Sequence, residues 1–466
     1  MLFSSIPFLF YFLPVVLLFY FAAPKQIKNA VLLLFSLVFY AWGEPKNVLL
    51  MLLAIILSYI FGRLTERYAG KWQSKMFLML SVGISLILLG YFKYMGFFME
   101  NIKAWTGLSL VVPKIVLPIG ISFYTFQIIS YNIDVYNGVV PAQRNIINLA
   151  AYVAMFPQLI AGPIVRYSDI NEQLQDRKHT IDKVAYGMRR LIIGLSKKVF
   201  IANALGELCN IFRATTQSSV LYYWLYAIAF TLHIYFDFSG YSDMAIGLGK
   251  VFGFDYLENF NYPYISRSIT EFWRRWHMSL GSWFRDYVYI PLGGNRKGKA
   301  VWYRNILAVW MLTGLWHGAA WNFVIWGLFF AMFLVIEKRW LLPYLEKSGI
   351  LSHIYVMVLV IISFVIFNAE SLSQVVRDLM GMAGLTSIPF YSQEFFYELC
   401  NYGVVLFIGI LGATPLFRRL YQKTHKTCNG QKVFMIIEPI VLLGLLMMIT
   451  AYLVDGSYNP FLYFRF

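Results

Sequence analysis

Apolar stretches long enough to cross or enter a lipid bilayer recur along the whole chain. Hydrocarbon offers no hydrogen-bond partners, so the backbone within such stretches must satisfy its own N–H and C=O groups, which a helix does. A full span needs about 20 residues, and several stretches are shorter, so we expect tilted and re-entrant helices among them. The clearer stretches are residues 3–23, 30–42, 48–61, 77–98, 115–133, 147–164, 191–212, 220–238, 306–336, 354–367, 402–416 and 434–453.

Composition supports a membrane protein with many spans. Of 466 residues, 59% are hydrophobic and 13% are charged, whereas soluble domains carry about 25% charged residues. No long polar stretch separates one half of the chain from the other. We therefore predict an all-α polytopic membrane protein, with residues 1–466 forming one domain of about 11 transmembrane helices.

The net charge of +16 is interpreted as a sign of topology. Lys and Arg collect in cytoplasmic loops and near anionic lipid headgroups, so the basic segments 63–75 and 418–432 are predicted to be cytoplasmic. No basic folded face suggests a nucleic-acid partner, whereas membrane lipid is an expected one. The three cysteines are too widely spaced for a disulfide framework or a zinc site, and no metal or bound cofactor is expected.

A histidine lies in the middle of one of these apolar stretches. His317 is the only ionisable residue in residues 305–330, and an ionisable group in a membrane segment is by default a functional candidate. Gly314 and Gly318 flank it and permit close approach of another helix or a ligand. A neutral imidazole in a dry site can take a proton from a hydroxyl. The alternative is a structural histidine bonded to a neighbouring helix.

Residues 261–299 interrupt the apolar pattern with seven Lys/Arg and two acidic residues. This excess of positive charge predicts a cytoplasmic location. The turn that starts at Pro291 exposes amides and cations, which suits a phosphate. Ordinary anchoring to headgroups is the alternative.

A helix is predicted to begin near Glu271 in this segment, capped by Ser268 or Thr270. Trp273, Trp276 and Leu280 follow at three- and four-residue spacing. Such a stripe predicts one amphipathic helix lying in the membrane interface.

Two ordered strings resemble a known family. EFWRRWHMSLGSWFRDYVYIPLGGNRKG is followed by LTGLWHGAAWNFVIWG, and the pair resembles the membrane-bound O-acyltransferases, most of all the bacterial branch that acetylates alginate and peptidoglycan. FYAWGEPKNVLL, LPIGISFYTFQIISYNIDVYNG, FPQLIAGPIVRY and YFDFSGYSDMAIGLGKVFGF agree with that branch. The resemblance implies a ring of helices, with re-entrant and interfacial ones, around a tunnel, in a bacterial inner membrane.

The resemblance also implies roles for particular residues. His317 matches the family's catalytic histidine, and His277 matches its second characteristic histidine, with a structural interfacial role as the alternative. Acyl transfer needs a base and donors for the developing oxyanion; Trp316, Asn322 or a backbone N–H near Gly318 could donate. Acetyl-CoA is the implied co-substrate, and its phosphates need cations, for which the candidates are Arg274, Arg275, Arg285, Arg296 and Lys297.

The last eight residues, NPFLYFRF, resemble a terminal motif of this branch in which a tyrosine is implicated as an acyl carrier. Tyr463 matches that tyrosine, and a phenolate can accept and release an acyl group. An interfacial aromatic anchor is the alternative.

The function implied is O-acetylation of a cell-envelope polysaccharide from cytoplasmic acetyl-CoA, through an extracytoplasmic SGNH-type partner. One alternative is a transporter in which His317 relays protons. Another is an acyltransferase with a different donor, such as a D-alanyl-carrier protein. The glycan stays open between peptidoglycan and an alginate-like polymer, with a slight preference for peptidoglycan because the chain ends directly after its terminal motif.

Overall fold

The computed structural model describes residues 1–160 and 162–456, with the side chains of residues 428–430 left out. No β-strand occurs in those ranges, and contacts divide the chain into two units. The first comprises Met1–Leu191 and Met244–Leu257; the second comprises Ile192–Asp243 and Glu258 onward. An all-α fold is therefore confirmed.

Helices α1 to α10 begin in the first unit. They are α1 Leu13–Ala22, α2 Lys28–Gly43, α3 Asn47–Arg67, α4 Trp72–Leu89, α5 Met95–Thr106, α6 Ile121–Tyr136, α7 Ile146–Ala154, α8 Phe156–Leu159, α9 Tyr167–Gln175 and α10 Ile181–Ser196. Helix α3 packs against α4 and α6, and a Cβ on Gly62 of α3 would lie 3.0 Å from the Tyr131 ring of α6. Phe3, Phe8 and Phe156 are fully buried aromatic residues of this unit.

The remaining helices begin in the second unit. They are α11 Asn203–Ala214, α12 Val220–Val251, α13 Ile269–Trp273, α14 Met278–Phe284, α15 Lys299–His317, α16 Trp321–Ile336, α17 Leu342–Lys347, α18 Ile350–Asn368, α19 Leu372–Met382, α20 Gln393–Gly412, α21 Leu416–His425 and α22 Cys428–Val454. The buried core of this unit is rich in aromatic rings from α12, α13, α16 and α18.

Seven helical segments in the described part of the chain are long and apolar enough to cross a membrane. Many of their large apolar side chains are exposed, as expected for a surface that faces lipid. The chain is a multi-pass membrane protein, whereas the number of about 11 spans stays a prediction. The seven are Lys25–Gly43, Asn47–Arg67, Trp72–Thr106, Trp321–Lys347, Ile350–Asn368, Gln393–Gly412 and Gln431–Val454.

The prediction of one amphipathic interfacial helix after Ser268 is wrong. The cap itself is confirmed, because the Ser268 hydroxyl accepts the Glu271 N–H at 3.0 Å. However, α13 ends at Trp273, and a new helix, α14, starts at Met278. Trp276, at 4% exposure, belongs to the protein core and not to an interface. The apolar spacing of these residues reflects their burial in the aromatic core, on two short helices and the turn between them.

Candidate active site

The apolar stretch around His317 forms two helices joined by a short turn. Helix α15 ends at His317, Gly318 is extended, and α16 begins at Trp321. The histidine therefore lies at a helix end, where the chain reverses, and not inside a single span. Its side chain is 9% exposed.

Glycines allow these two helices to approach closely. A Cβ on Gly314 would lie 2.2 Å from the backbone oxygen of Phe323, and a Cβ on Gly327 would lie 2.3 Å from that of Trp310. At Gly318, a Cβ would lie 2.1 Å from the Phe323 ring. Any larger residue would force the helices apart. The close approach predicted for Gly314 and Gly318 is confirmed, and the approaching element is α16.

Aromatic rings surround the His317 imidazole. Its ring centroid lies 5.0 Å from that of Trp316, 5.1 Å from that of Trp326 and 5.3 Å from that of Phe367. The interplanar angles are 80°, 82° and 81°, so the rings meet edge to face, a favourable aromatic geometry. These rings hold the imidazole in a mainly apolar site.

The second predicted histidine lies beside the first. The ring centroids of His277 and His317 are 6.5 Å apart, and His277 is 5.9 Å from Trp316. His277 is 1% exposed. Residues separated by 40 positions in sequence therefore contribute two imidazoles to one buried cluster.

His277 occupies an unusual backbone conformation. Its φ of 45° and ψ of 53° are left-handed, which costs a non-glycine residue free energy and is concentrated at functional positions. It stands between α13 and α14, where it caps α14. The left-handed turn directs the chain so that the imidazole enters the interior.

Asn259 fixes the orientation of this imidazole. Its Oδ1 accepts hydrogen bonds from the Ser279 backbone N–H at 3.3 Å and from the Ser279 hydroxyl at 2.9 Å. Its amide nitrogen donates to the Ser242 hydroxyl at 3.1 Å. A backbone N–H can only donate, so the atom of the Asn259 amide that it meets must be the oxygen. The hydrogen-bond network thus assigns the two ends of this amide.

The same oxygen lies 3.1 Å from Nδ1 of His277. An amide oxygen only accepts, so Nδ1 carries the hydrogen and Nε2 carries the lone pair. Nε2 is buried and has no hydrogen-bond partner among the described residues. The imidazole therefore offers a hydrogen-bond acceptor inside the cluster.

Burial lowers the pKa of His277 to about 3. Its segment lies outside the candidate membrane spans. A neutral imidazole with so low a pKa is a weak base near neutral pH. His277 is better suited to accept a hydrogen bond from a bound group than to remove its proton.

Two of the predicted oxyanion donors are already engaged. Asn322 donates to the backbone oxygens of Phe367 at 3.1 Å and Ala369 at 2.9 Å, which ties α16 to the end of α18. The Gly318 N–H donates to Gly314 at 3.3 Å. By contrast, the indole N–H of Trp326 is buried without a hydrogen-bond partner in the described residues. The sequence analysis missed this donor, because a tryptophan within an apolar helix is usually a packing residue and nothing in the local sequence sets Trp326 apart.

The predicted phosphate-binding cations lie at several places. Arg275 pairs with Glu271 at 2.9 Å, and Arg285 pairs with its neighbour Asp286 at 2.6 Å. Arg274, Arg296 and Lys297 are exposed. The predicted turn after Pro291 is present, and Asn305 stabilises it by donating to the backbone oxygens of Leu292 at 3.3 Å and Gly294 at 2.9 Å. Binding of phosphate by these cations stays a prediction.

Two further polar groups on α12 have structural partners. His233 lies 2.6 Å from the Ala202 backbone oxygen through Nδ1, and Asp237 forms a buried ion pair with Lys198 at 2.5 Å. No cluster of three metal-ligating side chains was found within residues 1–160 and 162–456. Tyr463, the predicted acyl carrier, lies outside the described residues.

Comparison with known families identifies the chain as an acyltransferase. The family model of the membrane-bound O-acyltransferases matches residues 139–375, a range that includes both histidines. The chain belongs to this family.

Three relatives are informative. The probable alginate O-acetylase AlgI of Azotobacter vinelandii is 47% identical over 378 residues, which is 80% of this chain and 76% of the relative. The protein of the same description from Pseudomonas putida is 40% identical, and the match covers the whole of both chains. The peptidoglycan O-acetyltransferase of Helicobacter pylori is 33% identical over 83% of this chain and 81% of its own length.

Proposed function

We propose that this acyltransferase moves acetyl from cytoplasmic acetyl-CoA to a hydroxyl group in a cell-envelope polysaccharide, through an extracytoplasmic SGNH-type partner, in a bacterial inner membrane. The observation that carries the proposal is the buried cluster in which His317 and His277 lie 6.5 Å apart. The greater identity to the alginate relatives favours an alginate-like polymer over the peptidoglycan that the sequence alone slightly favoured.

His317 is the base in this proposal. It takes the proton of the attacking hydroxyl while the oxygen forms a bond to the acetyl carbonyl carbon. The carbonyl oxygen then carries negative charge, which the Trp326 indole N–H, buried beside His317, can stabilise. The carbon–sulfur bond breaks, and the thiolate takes up the proton from the imidazolium. His277 accepts a hydrogen bond and orients one of the reacting groups.

Tyr463 is proposed as the first acceptor. Its phenol oxygen would bond to the acetyl carbon as coenzyme A leaves, and the acetyl group would then pass to a hydroxyl of the outer partner. Tyr463→Phe removes the oxygen and keeps the ring. We expect this variant to lose delivery to the partner while some acetyl-CoA hydrolysis remains, measured with labelled acetyl-CoA and mass spectrometry of the C-terminal peptide. Normal transfer of acetyl to the partner by Tyr463→Phe would show that Tyr463 is an aromatic anchor and not an acyl carrier.

The purified protein tested with acetyl-CoA decides the function. We expect release of coenzyme A thiol, and we expect that release to disappear in His317→Ala. Proton or solute flux in proteoliposomes without thioester turnover would instead support a transporter. Turnover of a D-alanyl-carrier protein, with none of acetyl-CoA, would keep the enzyme class and change the donor.

A further inference from the structure

A basic pocket lies in the second unit. One of its walls comes from residues 414–419, far in sequence from both histidines. The pocket has a volume of about 750 Å³ and is lined by Arg267, Glu271, Arg275 and Arg419, among others. A smaller pocket of about 270 Å³ shares Arg275 and Arg419 and adds Arg418. We refer to the two together as the arginine pocket. The larger of the two, at about 750 Å³, falls within the usual range for small-molecule sites, about 300–1,000 Å³.

Positive charge dominates this pocket. Four guanidinium groups line it, and Glu271 is the carboxylate among the lining residues. That carboxylate is already engaged: it pairs with Arg275 and accepts the backbone N–H of Arg267 at 2.9 Å. Among the described residues, no carboxylate lies within ion-pair distance of the guanidinium groups of Arg267, Arg418 or Arg419. Three cations therefore line the pocket without a counter-ion in the described part of the chain.

The start of α21 adds to this positive potential. Thr414, Pro415 and Leu416 form part of the wall, and Leu416 begins a helix of 10 residues. The first amides of a helix lack intrahelical partners and favour an anion. Arginine is also the side chain best suited to bind phosphate oxygens in pairs.

The pocket joins two segments that the sequence analysis assigned independently to the cytoplasm. Arg267 and Arg275 belong to residues 261–299, whereas Arg418 and Arg419 begin residues 418–432. Two segments on the same side of the membrane can line one pocket, so this arrangement agrees with a common location for both. Arg275 is also two residues before His277 and bonds to the Asn261 backbone oxygen at 3.1 Å, so the pocket wall continues directly into the segment that carries the second histidine.

We propose that the arginine pocket binds an anionic ligand that carries at least one phosphate group. Two sources have this chemistry: the nucleotide end of the acyl donor, and the headgroup of an anionic lipid. The nucleotide source rests on the proposed function, because it assumes a coenzyme A thioester as donor. The lipid source does not.

The test removes charge at Arg418 and Arg419 in the full-length purified protein. R418Q/R419Q should weaken coenzyme A binding on the order of tenfold or more, since hydrogen bonds to charged groups contribute about 1.5–3 kcal/mol each. The donor KM should rise while kcat at saturation stays near wild type. R418K/R419K keeps the charge and should lose less. K423Q/K426Q removes one cation from the last turn of α21 and one from the residue that follows the helix, both outside the pocket, and should change binding less than about twofold.

A second arm detects the lipid source. Native mass spectrometry after reconstitution with phosphatidylglycerol should show loss of a bound lipid in R418Q/R419Q, and phosphatidylcholine provides the neutral control. Unchanged coenzyme A binding together with loss of phosphatidylglycerol would assign the site to a headgroup. Both ligands binding normally to folded R418Q/R419Q would overturn the proposal, even if acetyl-CoA turnover proves the enzyme. Absence of turnover in the wild type would reject the proposed function, and the lipid arm would still decide the pocket.

Discussion

The two histidines of the cluster are held by opposite means. His317 stands at the end of a regular helix and is positioned by aromatic rings and by glycines that bring α16 against α15. His277 stands on a left-handed residue between two short helices and is positioned by a hydrogen bond from Nδ1 to Asn259. Packing against rings and glycines is the described support of the first imidazole, whereas a polar network supports the second. The two histidines should therefore respond to different substitutions among their neighbours.

The largest effect is expected at His317 itself. His317→Ala should lower acetyl transfer on the order of a hundred- to ten-thousand-fold, the usual contribution of a general base. Loss of a buried ring leaves a cavity and should lower the unfolding temperature, so rates are compared on protein that is shown to be folded. Rates are measured by thiol release, and His425→Ala, an exposed histidine on α21, is the control. Near-normal transfer by a folded His317→Ala protein would remove His317 from the mechanism.

Packing around His317 is tested by Gly314→Ala. The added Cβ would meet a backbone oxygen 2.2 Å away, so the helices must separate, at a cost of about 1–3 kcal/mol. We expect a lower unfolding temperature together with lower transfer, because His317 follows three residues later. Gly83→Ala is matched, since nothing lies within 4 Å of its Cβ. If Gly314→Ala were as stable and active as Gly83→Ala, packing of α16 against α15 would not position His317.

The polar side of the comparison is tested by Asn259→Leu. Loss of this acceptor leaves buried donors without a partner, which should lower stability by about 1–3 kcal/mol for each. It also releases the His277 imidazole from its orientation, which should lower kcat about tenfold with the donor KM unchanged. Asn259→Asp keeps the acceptor and adds a negative charge, which should raise the pKa of His277 and shift the pH–rate profile. A Leu variant with wild-type kcat, or an Asp variant with an unshifted pH–rate profile, would show that Asn259 does not act through His277.

The effect that is smallest near neutral pH is a loss of stability that grows as the pH is lowered. The pKa of His277 in the folded protein, about 3, lies below that of the unfolded chain, about 6.5. As pH falls below about 6.5, the unfolded state binds a proton that the folded state refuses, so the free energy of unfolding falls by about 1.4 kcal/mol per pH unit. Unfolding of His277→Gln should lack this component. Equal acid sensitivity of the two proteins would show that other groups control it.

Sequence information predicted the parts of the site that depend on local pattern. The apolar stretches, the Ser268 cap and the glycines beside His317 follow from spacing and residue type. The break before His277 did not, because Trp273, Trp276 and Leu280 keep helical spacing across a left-handed residue that has no local code. Asn259 was also missed. It lies 18 residues before its partner, in a segment whose polar residues resemble those of an ordinary loop.

The short turn between α15 and α16 has a consequence for how the protein is made. His317 and Trp326 are nine residues apart in sequence, and their contact needs only this hairpin. Contacts close in sequence close small loops and form quickly. His317 and the Trp326 ring can therefore come together early in folding, independently of contacts with segments distant in sequence. The Phe367 ring, 50 residues after His317 in sequence, is the part of this aromatic wall that needs a long-range contact.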